Sequence, residues 1–156
     1  MLKNIASSEQ EARIKLQHAL DSGKAAECFS KMTAALGGPT DLTENPWKHL
    51  PKAEIIRPVY TDKTGYVCAM DAYRIGSTMI TLGGQRKNFD QRLNYSVGFS
   101  NFIQIGDKLD PEKPIAIIHA ANEDTFAAAE KQLQLSIQTS DEKPVETLIV
   151  YETVTA

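Results

Sequence analysis

Apolar positions recur at helical spacing twice near the start of the chain. From Ser8 to Asp21, Ala12, Leu16, Ala19 and Leu20 stand at i, i+4, i+7 and i+8, which puts them on one face of a helix. Ile14 lies off that stripe and points to burial on two sides. After Asp21-Ser22-Gly23, a second helix carries Ala25, Phe29, Met32 and Leu36 at i, i+4, i+7 and i+11. Gly37-Gly38-Pro39 stops it, because glycine suits the left-handed position that ends a helix and proline cannot continue one. Two such helices can lie antiparallel, but they cannot bury both stripes without a further layer.

From Gly37 to Lys52 the period disappears and three prolines enter, which predicts a connector with Trp47 as the anchor that packs it down. Beyond it the pattern is that of strands. Glu54 to Thr61 and Tyr66 to Met70 are β-branched and aromatic runs flanking Asp62-Lys63-Thr64-Gly65, which predicts a hairpin. Pro58 implies that the first of these strands has one unpaired edge. Asp71 caps a predicted helix from Ala72 to about Leu82, terminated by Gly83-Gly84. Asn94 to Ile105 is mixed, Gly106-Asp107 is a turn, and Ile115 to Ala120 is a buried strand. Asn122 caps a helix with Phe126, Ala129, Leu133 and Ile137 on one face, and a last strand runs from Thr147 to Val154. The second part therefore reads as α+β, two helices against a mixed sheet.

At 156 residues the chain is the length of one domain, and a chain of this size buries about 70% of its unfolded surface, enough for a core without covalent staples. Hydrophobic residues at 42% and charged residues at 24% are ordinary, and no apolar run nears the ~20 residues of a membrane span. The opening MLKNIASSEQEARIK lacks an apolar core and a small-residue cleavage site, so no signal peptide is expected. A net charge of -3 argues against a nucleic-acid partner, which calls for a basic excess. Cys28 and Cys68 stand forty positions apart without a second pair, and are expected as buried, reduced thiols in the cytoplasm.

The stretch that invites a chemical reading is TLGGQRKN, Thr81 to Asn88. It has neither the GxxxxGK[ST] of a phosphate-binding loop nor the strand-to-helix setting of GxGxxG. It also follows a helix C-terminus, whereas anions favour the N-terminal end. Between Gly83 and Asn94, Arg86, Lys87 and Arg92 against Asp90 give a local +2. Two readings fit: a solvated surface loop, or a loop that closes over a cleft in a larger assembly. His18, His49 and His119 fall on separate elements and suggest neither a metal set nor a nucleophile triad. His119 draws most notice because it ends a buried strand. Glu9, Glu11, Asp21, Glu123 and Asp124 are explained as helix-end acids and solvated faces. GYVCAM and IGDKLDPEKPIAIIHA are similar in pattern to biotinyl and lipoyl carrier domains, but Asp71 stands where a carrier needs its lysine.

Several segments together carry a more specific likeness. GKAAECFSKMTAALGGPTD (Gly23 to Asp41), the connector ending in LPKA, GYVCAMDAYRIG (Gly65 to Gly76), LGGQRKN and YSVGFSNFIQIGDKLD (Tyr95 to Asp110) resemble the C-terminal third of the pyrimidine nucleoside phosphorylase family. ALGGPTD places the likeness closer to its thymidine phosphorylase branch. The resemblance implies that 1–36 is a helix pair left from a central α/β domain, 37–52 a connector, and 53–156 a C-terminal hammerhead domain. It implies a parent enzyme that is a homodimer, uses phosphate as co-substrate with no cofactor or metal, and converts thymidine to thymine and 2-deoxyribose 1-phosphate. The family's phosphate- and pyrimidine-gripping residues lie upstream of the part seen here. None of their motifs is matched, so no catalytic residue is expected on this chain. The resemblance implies partners among the remaining domains of the same enzyme, and no nucleic acid or membrane. Gly83, Gly84, Gln85, Arg86 and Lys87 are then expected as closure apparatus facing a cleft. The alternative is a stand-alone interaction or carrier module.

Overall fold

The computed structural model describes residues 5–86, 88, 90 and 92–146, and its chain divides into two compact units between Leu50 and Pro51. The first unit begins with helix α1, Glu9–Asp21, capped by the Ser8 hydroxyl, which accepts from the Glu11 amide at 3.2 Å. Helix α2, Lys24–Ala35, follows a left-handed Gly23, and a short α3 spans Pro46–His49. Arg13 pairs with Glu9, Lys15 with Glu11 and Lys31 with Glu27, each one turn apart on exposed faces. None of the described residues of this unit is buried. The apolar stripes are present but uncovered, and Leu36 is 82% exposed. Trp47 is 76% exposed and does not pack the connector down as expected.

The second unit is α+β. Strands β1 (Ile55–Val59) and β2 (Gly65–Met70) precede helix α4 (Ala72–Leu82). Then come β3 (Gly98–Ser100), β4 (Lys108–Leu109), β5 (Ala116–Ala120), helix α5 (Glu123–Ser136) and β6 (Ile137–Ser140). The described strands form two three-stranded sheets, ordered β1-β5-β3 and β4-β2-β6, and each ladder is antiparallel. The α+β class holds, with two antiparallel sheets where one mixed sheet was expected.

The expected hairpin does not form: β1 and β2 belong to different sheets. The physical reason is the partner each finds. β5 offers β1 a largely apolar strand, and pairing Val59 with Ala116 and Ile55 with Ala120 accompanies complete burial of Val59, Ala116, Ile118 and Ala120. Pro58 fits as predicted, since β1 is an edge of its sheet and a missing N–H is harmless there.

Both helices of this unit lie where the pattern placed them. Asp71 caps α4 by accepting from the Arg74 amide at 2.9 Å, and Asn122 and Thr125 cap α5 reciprocally. Phe126, Ala129 and Leu133 on α5 join Val59, Val67, Leu82, Leu109, Ile115, Ile118 and Ile137 in one core. Ile137 is buried, but it opens β6 (φ −99, ψ 126) and does not end the helix. That strand was absent from the sequence reading. The strand expected from Thr147 to Val154 lies outside the described residues.

Candidate functional site

The loop after α4 is built from both of its ends. Gly83 closes the helix at φ 91, its N–H bonded to the Ile80 carbonyl at 3.1 Å, while the Gly84 N–H reaches the Met79 carbonyl at 2.9 Å. This pair of bonds satisfies carbonyls that the helix end would otherwise leave open. The Asn94 N–H then donates to the Gly83 carbonyl at 3.0 Å, so the loop leaves and returns at one point, as an Ω-loop does. Asn94 Oδ1 accepts from the Ser96 N–H at 3.0 Å and the Ser96 hydroxyl at 2.7 Å, fixing the turn into β3. Gln85 and Arg86 are exposed, as are Asn88, Asp90 and Arg92. Lys87 lies outside the described residues. The structure thus ties the loop at its neck and leaves Arg86 exposed.

Gly84 is held close. A Cβ there would stand 2.6 Å from the Met79 Cε and 3.3 Å from a Val97 methyl. Sequence reasoning found the two glycines and the cations, but not Asn94 as the clasp. The only signal for it was Asn-x-Ser, a pattern that favours local side-chain to backbone turns.

A groove of about 490 Å³ runs between α4 and α5, lined by Asp71, Tyr73, Arg74, Ser77, Lys131 and Gln132 among others. Several of its polar groups engage one another. Arg74 approaches Asp71 at 3.4 Å and donates to Gln132 at 3.1 Å, and the Thr78 hydroxyl donates to the Arg74 carbonyl. At the C-terminal end of α5, Lys63 donates from Nζ to the carbonyls of Gln134 (2.8 Å) and Ile137 (2.5 Å). A lysine read from sequence as a turn residue is therefore a helix cap.

The histidines are not brought together. The His119 Nε2 lies 2.8 Å from the Ser100 hydroxyl, and the His49 Nε2 lies 2.5 Å from Asp41 Oδ1. Among the described residues no group of three or more His, Cys, Asp and Glu is placed to hold a metal. Cys28 and Cys68 are free thiols, but Cys28 is exposed and Cys68 half-buried, because α2 has no covering layer here. Three carboxyls of the first unit sit below their ordinary range. Glu11 is held at about 2 by hydrogen bonds from Lys15 and Ser7, Glu27 is lowered by Lys31, and Asp41 by His49. Asp71, where a carrier would need its lysine, is the N-cap of α4 and offers no amine.

Compared with known protein families, residues 66–140 match the pyrimidine nucleoside phosphorylase C-terminal domain. The matched segment opens in β2, ends with β6, and contains α4, its loop and the α4–α5 groove. Residues 66–140 are thereby identified as a C-terminal domain of the pyrimidine nucleoside phosphorylase family.

Proposed function

We propose that the chain is the C-terminal part of a thymidine phosphorylase and contributes to closing that enzyme's active-site cleft. In the complete enzyme, a phosphate oxygen attacks C1′ of the deoxyribose and the bond from C1′ to the pyrimidine nitrogen breaks. The bonding electron pair leaves with the base, which takes up a proton to become thymine, and the sugar departs as 2-deoxyribose 1-phosphate. Such a reaction depends on a positioned phosphate, on stabilising the departing base, and on keeping water out. A closing domain serves the last of these, because excluding water strengthens each electrostatic contact in the site.

The observation that carries the reading is the family match across residues 66–140. The thymidine branch rests on ALGGPTD, and the closure role on a basic loop clasped at its neck by Gly83 and Asn94. Phosphate is a co-substrate and no cofactor is required. The enzyme is a cytoplasmic homodimer in which the other domains bring the reacting groups, so this chain by itself turns nothing over. Incubating the purified chain with thymidine and phosphate, and following thymine release by ultraviolet absorbance, should give no signal above the protein-free blank. Turnover by the chain alone would overturn the assignment of the chemistry to other domains.

A further inference from the structure

Residues 41–49 fold around a single carboxylate. Asp41 Oδ1 meets His49 Nε2 at 2.5 Å, while Oδ2 takes Lys48 Nζ and Asn45 Nδ2, each at 3.3 Å. Its backbone carbonyl accepts from the amides of Asn45 (2.8 Å) and Glu44 (3.2 Å). The Lys48 amide bonds to the Asn45 carbonyl at 3.1 Å, and the Leu50 amide to the Pro46 carbonyl at 2.8 Å. A contact of 2.7 Å between the Ser30 and Thr43 hydroxyls ties the turn to α2. The Asp41 and His49 side chains are only 30% and 23% exposed, so this pair is better shielded than the helix-surface pairs of the same unit. His49 and then Lys48 hold the Asp41 carboxyl below its ordinary range, which agrees with the geometry.

The bonding then stops. Pro51 has no N–H, and among the described residues none from Pro51 to Glu54 takes part in a backbone hydrogen bond outside the regular elements. The chain is next held at Ala53, a buried residue that is 6% exposed. Pro51 fixes its own φ and keeps Leu50 extended, as found at φ −86 and ψ 135. The torsions left soft are ψ of Pro51 and the pair at Lys52.

We infer that the connector is not a flexible tether: residues 41–49 are a folded extension of the helix pair, pinned by Asp41, and backbone freedom between the two units is confined to Pro51 and Lys52. The inference stands apart from the phosphorylase reading. Should that reading hold, any swing of the C-terminal domain would pivot on these two residues.

Amide hydrogen exchange followed by NMR on the full chain tests it without any enzymatic readout. The amides of Asn45, Lys48 and Leu50 should be protected, while that of Lys52 exchanges at the rate of an unstructured peptide. In Asp41→Ala the first three should exchange about tenfold faster, the loss of hydrogen bonds to a charged group. The Ile115 amide, bonded to the Val59 carbonyl at 2.8 Å, should be unchanged and reports that the second unit remains folded. If Asp41→Ala also loses protection at Ile115, His49→Ala is measured in its place and should speed the same three amides by less. Protection at Lys52 equal to that at Asn45, or unaltered exchange at Asn45 and Lys48 in the variants, would overturn the inference.

Discussion

Three glycines show how differently one residue type is used. Gly65 lies at φ 96, and a Cβ there would sit 2.5 Å from the Ser140 carbonyl oxygen, a backbone atom that cannot step aside. Gly83 lies at φ 91, with its nearest neighbour, the Asn94 Cβ, at 3.8 Å. Gly84 is not left-handed, and its closest contact is the mobile end of Met79. An L side chain in the left-handed region costs about 1–2 kcal/mol. Gly83→Ala should therefore lower stability by about that amount. Gly65→Ala should cost more than Gly83→Ala, and Gly84→Ala less, as measured by urea unfolding of each variant. The reverse order would mean that packing and not φ sets the demand for glycine. Gly65 and Gly83 were legible from sequence as turn and helix-end residues. The Ser140 carbonyl against Gly65 was not, since it belongs to a strand the pattern did not reveal.

Among the elements, α4 and α5 were readable because each announces its start with Asp71 or Asn122 and carries a clear apolar face. The end of α5 was not. Phe126, Ala129, Leu133 and Ile137 continue the helical period through the true boundary, and no glycine or proline interrupts it. What turns Ile137 into strand is pairing with Met70, a contact between residues far apart in the chain. Lys63 secures that junction from the opposite side by donating to the Gln134 and Ile137 carbonyls. Partly buried hydrogen bonds to a charged donor contribute about 1.5–3 kcal/mol. Lys63→Met should destabilise the second unit by an amount of that order, read as a lower midpoint in thermal or urea unfolding. An unchanged midpoint would show that the carbonyls are satisfied equally well by water.

For the molecule as a whole, the first unit has uncovered apolar stripes and the second has a complete core of its own. A helix pair with no buried residue gains little from packing, so it rests on local hydrogen bonds, caps and ion pairs one turn apart. On the proposed reading, the loop after α4 acts only against the other domains of the enzyme. In the complete enzyme, Arg86→Ala should lower turnover or raise the apparent Michaelis constant several-fold while leaving the unfolding midpoint within about 0.5 kcal/mol, the usual range for an exposed position. Steady-state kinetics identical to those of the parent would remove Arg86 from the closure apparatus.

The sequence alone determined α1, α2 and α4, the start of α5 and its apolar face, the caps at Asp71 and Asn122, the edge position forced by Pro58 and the family likeness, but not the short α3 inside the connector. All of these rest on spacing and local chemistry within a few residues. Tertiary structure decided which strands pair, where α5 ends, that Lys63 is a cap, and that Asn94 clasps the loop at Gly83. Those outcomes depend on which distant segments bury the most apolar surface together, and a strand's local pattern is the same whichever neighbour it meets.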